Sequence, residues 1–388
     1  MKVALAHHWL NRPRGGERVL AQLARIFPDA PIFTSIFDSE ADWPPELSGP
    51  ARERIRPTPL QWIYRLDRRT LPLLAPLMPA AGRTVTKHLR GLETLLISDA
   101  GVAKCIPVPR GTQKLVYLHT PMRRLWLEEG GVRRELPSLL GAIADVAARR
   151  LRERDLEAAE TVDSWAANSA TTRARLAQIY RIAPEKVRVI HPAVPWAHAT
   201  EETAPVGNGP RQGLLVVSPL VLYKRDDLAV LAASRLGASL TVVGDGPERS
   251  RLEALGATGV RFVGRVGDIA LRGLYRSAAG LLFCGEEDCG LVPLEAMWEG
   301  CPVLAYRAGG VVETIREGIG GLFFDEPEVE SVIDGILRLR AHTWDPGAIR
   351  TSVARFTPET LEREVREWIR SRDGCARTPG AEGSAASP

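Results

Sequence analysis

Short apolar runs recur along the chain, separated by helix- or loop-length spacers, and the series breaks once and then restarts. Val3 to Ala6, Pro31 to Ile36, Leu95 to Ser98, Leu115 to His119, Val162 to Ala167 and Val187 to His191 form the first series. After the proline- and glycine-rich stretch 191–213 come Leu214 to Ser218, Leu240 to Gly244, Val260 to Gly264, Leu281 to Cys284 and Val303 to Ala305. Continuous apolar runs suit strands buried on both faces, and such strands belong to parallel sheets covered by crossover helices. The pattern predicts an α/β chain with two Rossmann-like, doubly wound domains facing across a cleft. A length of 388 residues, beyond one typical core, agrees. We place the domains at 1–193 and 194–357. A last helix at 358–373 is expected to cross back to the first domain, and 374–388, small and polar, to be a disordered tail.

Hydrophobic residues at 45% and charged ones at 25% fit a globular enzyme and exclude a fibrous or disordered chain. The net charge is only +4, and nucleic acid is not an expected partner. The cations are uneven, however: Arg52, Arg54, Arg56, Arg65, Arg68, Arg69, Arg83, Lys87 and Arg90 crowd one stretch with Trp62 and Tyr64. Residues 52–90 are either a surface that rests on anionic lipid headgroups or an arginine-rich solvated face. No run approaches the ~20 apolar residues of a transmembrane helix. The opening Met-Lys-Val-Ala-Leu-Ala-His reads as a core strand, not a signal peptide, which predicts a cytoplasmic protein, peripheral at most at the inner face of the membrane. Cysteines 105, 284, 289, 301 and 375 form no Cys-x-x-Cys pair, so reduced thiols are expected, with Cys284 and Cys301 in the core.

In open parallel sheets ligands bind beyond the carboxyl ends of the strands. The residues there are polar: His7 and His8, the Gly15-Gly16 loop, His119, Ser218, Lys224, Gly244-Asp-Gly246, Glu286 to Asp288 and Gly309-Gly310. Gly244-Asp-Gly246 is no dinucleotide fingerprint, because Arg249 occupies the third glycine position, and the chain has no Gly-Lys-Ser or Gly-Lys-Thr of a P-loop. A nucleotide can instead be held by a lysine on the phosphates, a helix N-terminus and a carboxylate on the ribose. "GEEDCGLVPLEAMWEG" supplies the last two. Gly290 admits a phosphate without a Cβ clash, and a helix is predicted to open at Pro293. Glu295 either complements the helix dipole or accepts from vicinal hydroxyls.

Glu287 and Glu295, with seven residues between them, resemble the Glu-x7-Glu motif of glycosyltransferase family 4. "VSPLVLYKRDDLAVLAA", "TVVGDGPERSRLEAL", "VRFVGRVGD" and "YRAGGVVETIREGIGGLFF" follow in that family's order and spacing. In the first half, "HHWLNRPRGGERVL", "FPDAPIFTSIFD", "LHTPMRRLW" and "NSATTRARL" resemble its mannosyltransferase branch in bacterial O-antigen and exopolysaccharide assembly. The resemblance implies a GT-B architecture and retention of anomeric configuration. It further implies Lys224 on the donor diphosphate, Glu287 on the transferred sugar, N–H groups of Gly290 and Leu291 on phosphate, and Glu295 on ribose. Ser218 and Gly244 would border the donor, Gly15 and Gly16 would form the phosphate or acceptor loop, and His119 would line the sugar site or else bond the loop backbone. Asp288 receives no role and Glu286 reads as solvated.

Three positions depart from the family: Pro219 stands for an arginine, His8 for an aspartate, and the histidine usual near Ala100 is missing; Arg225 is a candidate replacement for the lost charge. No apolar run ends in Asp-x-Asp, so no metal is expected. Asp226-Asp227 can equally begin a helix. No cofactor is expected; the donor would be a nucleotide-diphosphate sugar, GDP-mannose by resemblance, and the acceptor a glycan or lipid-linked glycan. The alternatives are a sugar-nucleotide epimerase or hydrolase of the same fold and a non-catalytic GT-B subunit.

Overall fold

The computed structural model describes residues 2–68, 71–127, 138–197, 211–256 and 258–373. The tail expected at 374–388, with Cys375, and Arg69 of the basic stretch lie outside the described residues. Seven parallel strands form the first sheet: β1 Val3–His7, β2 Ile32–Thr34, β3 Ile55–Pro57, β4 Thr94–Asp99, β5 Gln113–Leu118, β6 Ser164–Ala167 and β7 Val187–Val189, ordered β3-β2-β1-β4-β5-β6-β7. The second has β8 Leu214–Val217, β9 Leu240–Val243, β10 Val260–Gly264, β11 Gly280–Phe283, β12 Val303–Tyr306 and β13 Gly321–Phe324, ordered β10-β9-β8-β11-β12-β13. Both orders reverse direction once, between β1 and β4 and between β8 and β11. At such a reversal the flanking loops diverge and leave a crevice at the strand ends.

The strands are apolar throughout because each sheet has a core on both faces. In the first domain, Leu5, Leu96, Leu115 and Tyr117 point to one side and Ala4, Leu95, Ile97 and Val116 to the other. Period-two alternation therefore sends every residue of a strand into apolar surroundings. The second domain repeats this with Leu215, Leu281 and Val303 against Leu214, Val216 and Leu304. Two strands have no counterpart among the apolar runs read from sequence. β3 is an edge strand with one buried residue, Ile55, and β13 begins at Gly321, where a Cβ would overlap the carbonyl oxygen of Val303.

Val194, Trp196 and Ala197 already pack in the second domain's core, as do Ile349, Val353 and Phe356. The final helix, Pro358–Asp373, returns to the first: Leu361, Val365, Trp368 and Ile369 join Val19, Leu23 and Tyr117 in one cluster. Its anchor is Trp368, 1% exposed, whose Nε1 donates to Ser164 Oγ at 2.9 Å on β6. Trp368→Ala is expected to lower unfolding stability by about 3–5 kcal/mol through the cavity it leaves. Ser164→Ala, which orphans a buried indole N–H, should cost about 1–3 kcal/mol. Denaturant titration reads both; a loss below 1 kcal/mol for Trp368→Ala would detach the helix from that core.

Candidate active site

The carboxyl ends of β1, β4 and β5 bring together His7, Ser98 and His119. Ser98 Oγ lies 3.1 Å from His7 Nδ1 and 2.7 Å from His119 Nε2, so one hydroxyl bridges two rings. Gly16, in the first turn of the helix Gly15–Ile26, faces these rings: a Cβ there would lie in ordinary contact, 3.6 Å from His119 and 3.7 Å from His7. His119 is also tied through its main chain. Its N–H donates to Asp99 at 2.8 Å, and its carbonyl accepts from Asn168 Nδ2 at 3.0 Å and Thr172 Oγ1 at 3.2 Å. The imidazole itself bonds the Ser98 hydroxyl, and the loop is held by the main chain of His119.

Burial keeps these imidazoles neutral. Desolvation pushes His119 down to about 3, with His7 adding to the effect, and His8 to about 4, while His7 is held well below its ordinary value. Glu17, facing His7 at 4.0 Å, is pushed up to about 7 by burial. Behind them Asp99 accepts from the N–H groups of Gly101 at 2.9 Å and Ala103 at 3.1 Å and pairs with fully buried Lys104. Burial alone would raise Asp99; Lys104 and His8 outweigh it and hold it at about 2. Lys104 also meets Asp155 at 2.6 Å, a long-range pairing with no sequence signal.

The second domain answers from β8 and β11. Ser218 Oγ donates to Asp226 Oδ2 at 2.7 Å, which ties β8 to the helix Asp226–Arg235 and leaves Asp226, lifted by burial to about 6, as a structural residue at that helix start. Gly244 has φ +124, and a Cβ there would overlap the carbonyl oxygen of Ser218, so this glycine lets two strand-end loops touch. Lys224 and Glu287 form an ion pair at the mouth of the crevice. Burial opposes the charge on Lys224, but Glu287 and Tyr223 keep its value above the ordinary one. Arg225 does not replace the charge missing at Pro219: its Nε bonds Asp227 at 3.2 Å and its other arm reaches the carbonyl of Pro327.

The helix after β11 starts earlier than expected. It spans Leu291–Trp298, with Gly290 at φ +76 as its cap, so the break falls at the left-handed glycine and Pro293 sits inside the first turn, where no N–H is required. Glu295 therefore lies in the second turn, 4% exposed. It accepts from Tyr275 Oη at 3.0 Å and lies 3.8 Å from Arg18 of the other domain. Burial lifts Glu295 to about 7, and Arg18 only partly offsets this.

The two domains meet through charges that sequence reasoning left without roles. Asp288 pairs with Arg175 and lies 3.7 Å from Arg123, whereas Glu286, read as solvated, meets Arg175 at 2.7 Å and accepts from Arg123 through its carbonyl at 3.1 Å. Arg123 also lies over the ring of Tyr223 at 4.4 Å. Arg18 reaches Asp268 at 2.6 Å. Glu313 caps the other domain's helix Ala170–Tyr180, accepting from the N–H groups of Ala170 at 2.8 Å and Thr171 at 3.0 Å. Gly15 faces Leu291, with 3.5 Å from a would-be Cβ to its Cδ1. Every one of these first-domain residues lies in a stretch that resembled the family, which was the one available signal.

Solved structures share this fold. The apo form of the lipopolysaccharide outer core galactosyltransferase WaaB superposes with a TM-score of 0.67 at 14% identity, covering 96% of this chain and 100% of that one. HepE of Anabaena in complex with UDP gives 0.65 at 18%, with the same coverage. The fold is GT-B. Within the GT-B frame, residues 215–342 match the family model described as glycosyl transferases group 1. Glycogen synthase of Thermus thermophilus is 32% identical over 170 residues, 42% of this chain and 39% of that protein. The chain thus spans about two fifths of that relative's length.

The three neutral histidines set the acid stability of this cleft wall. An unfolded histidine titrates near 6.5, so as pH falls below that value the unfolded chain takes up protons that the folded site refuses. The stability that each contributes is complete above pH 6.5 and is lost toward the folded value. The stability difference between wild type and His8→Asn is expected to shrink by about 1.4 kcal/mol per pH unit from pH 6 to 4.5. Parallel curves for the two proteins would contradict a neutral His8.

Proposed function

We propose that the protein is a retaining, metal-independent hexosyltransferase that moves a hexose from a nucleoside diphosphate sugar to a glycan or lipid-linked glycan acceptor. The observation that carries this is the convergence of Lys224, Glu287, the Gly290–Leu291 helix start and Glu295 on one cleft wall, opposite Gly15. In this reading Lys224 neutralises the diphosphate, the N–H groups of Gly290 and Leu291 serve phosphate oxygens and Glu295 takes the ribose. The bond between C1 and the diphosphate oxygen breaks as the acceptor hydroxyl bonds to C1 on the same face, and its proton passes to the departing diphosphate. The chain's part is to align the groups and stabilise the leaving charge.

The donor is where the two lines of support diverge. The sequence resemblance favours GDP-mannose, whereas the similar Anabaena structures are described with UDP, glucose and UDP-glucose. We favour a UDP-linked glucosyl donor. A membrane-borne acceptor is supported by the helix Leu60–Leu66, which leaves Trp62 71% and Leu66 88% exposed, with Arg65 over the Trp62 ring. Arg68 is not part of that surface charge, since Asp38 and Glu40 hold it. No helix among the described residues is long and apolar enough to cross a membrane.

UDP at 100 times its dissociation constant should stabilise the protein by about 2.7 kcal/mol, seen as a rise in Tm. Lys224→Ala is expected to weaken that binding about tenfold or more, and Lys224→Arg much less, because only alanine removes the charge. Glu287→Ala should lower turnover more than donor affinity. Equal effects of Glu287→Ala on both, or unchanged donor binding in Lys224→Ala, would refute the assignments. Trp62→Ser combined with Leu66→Ser should abolish sedimentation with vesicles of anionic lipid at low salt; wild-type protein that stays in the supernatant would favour a soluble acceptor.

A further inference from the structure

One cluster in the first domain has a chemistry that the proposed transfer does not use. His7 ends β1, His8 follows it, and Glu17 comes from the first turn of the helix Gly15–Ile26. A ring nitrogen of each histidine and a carboxylate oxygen of Glu17 lie within 4.8 Å of one another. The three residues are 1%, 5% and 4% exposed. His7 Nε2 is buried without a hydrogen-bond partner and faces Glu17 Oε1 at 4.0 Å, beyond hydrogen-bond range. A buried ring nitrogen left in that state costs free energy. Glu17 is short of compensation as well. Its Oε2 accepts from the N–H of Arg14 at 3.2 Å, but among the described residues it forms no ion pair with a lysine or arginine side chain.

The surrounding bonds orient these groups as ligands. Ser98 Oγ carries one proton; where it donates to His119 Nε2 it accepts from His7 Nδ1–H, and that tautomer leaves the lone pair of His7 on Nε2. The bond from Arg14 steadies the Glu17 carboxylate in the same way. We propose that His7, His8 and Glu17 bind one divalent transition-metal ion, of the zinc type, between the end of β1 and the start of the helix that follows. Two imidazoles and one carboxylate suit a borderline ion such as Zn²⁺, whereas Mg²⁺ and Ca²⁺ take oxygen ligands. A tetrahedral ion with arms of about 2.1 Å holds its ligand atoms about 3.4 Å apart, so the three must draw in by at most about 1.4 Å, through rotation of the Glu17 side chain and small shifts of the rings. The ion supplies the charge that Glu17 lacks and gives His7 Nε2 a partner. It also ties Glu17, two residues beyond Gly15, to the sheet, and Gly15 faces Leu291 of the other domain. Its role is to brace the glycine loop; the transfer proposed above relies on Lys224 at the diphosphate and not on this ion.

The test needs neither donor nor turnover. Wild type stripped with EDTA and dialysed is titrated with Zn²⁺ in competition with a chromophoric chelator, and with Co²⁺, whose visible absorption bands report tetrahedral coordination. His8→Asn, Glu17→Gln and, as a control for surface imidazoles, His342→Asn at an exposed position are treated alike, and the Tm of each protein is read in EDTA and in zinc. Wild type and His342→Asn are expected to bind one equivalent, to show the cobalt bands and to gain Tm with zinc. His8→Asn and Glu17→Gln should fold in EDTA yet lose the bands and the gain in Tm, with an affinity loss above the about 10–100-fold that an outer-shell change costs. Wild type that binds no zinc or shows no tetrahedral cobalt bands, or binding that survives in both ligand variants, would overturn the proposal. So would loss of binding in His342→Asn, the mark of an adventitious surface ion. Should one ligand variant fail to fold in EDTA, the other variant and the wild-type cobalt bands decide.

Discussion

Carboxylates at the end of β11 are matched across the cleft by arginines of the other domain, and the alignment of the two sheets depends on that match. Glu286 and Asp288 crowd one tight turn, where like charges at short range would raise its free energy. Arg123 and Arg175 remove the repulsion. The same pairing fixes how the strand ends face each other, because Arg123 follows β5 and Arg175 lies on the helix after β6. Glu313 adds a carboxylate on a helix N-terminus, and Arg18 joins Asp268 and Glu295. Removing one partner of such a half-buried pair would leave the other charge without compensation, which is costlier than the pair is stabilising.

The groups proposed to hold the donor are occupied by protein partners. Lys224 pairs with Glu287, and Glu295 with Tyr275 and Arg18. A nucleoside diphosphate would have to draw Lys224 from Glu287, and its ribose would have to draw Glu295 from Tyr275 and Arg18. Preorganised charge in a partly buried cleft is also what stabilises a leaving diphosphate without reorganising solvent. On the facing wall, burial keeps the histidine rings from carrying competing charge.

The strands of both sheets that carry the site were legible as apolar runs, because a strand buried on both faces has no alternative composition. β3 was not, since an edge strand such as Ile55–Pro57 needs only one buried side chain. The helix beginning at Leu291 was misplaced by two residues because proline is a strong start signal, while the actual break is the positive φ of Gly290, visible only once the backbone is traced. Asp288 could receive no role because its partners lie more than a hundred residues away in sequence.

The sequence by itself determined the two parallel sheets, the crevices at their carboxyl ends and the short list of polar residues standing there, since periodicity, glycine placement and burial act locally along the chain. Which of those residues meet was decided by the tertiary structure alone. Arg225 turns to Asp227 and Pro327, Arg123 lies over Tyr223, and Arg175 meets both Glu286 and Asp288 of the other domain. The reason is physical: an ion pair is set by distance after the chain has folded, and in the linear chain every arginine near every aspartate looks equally available.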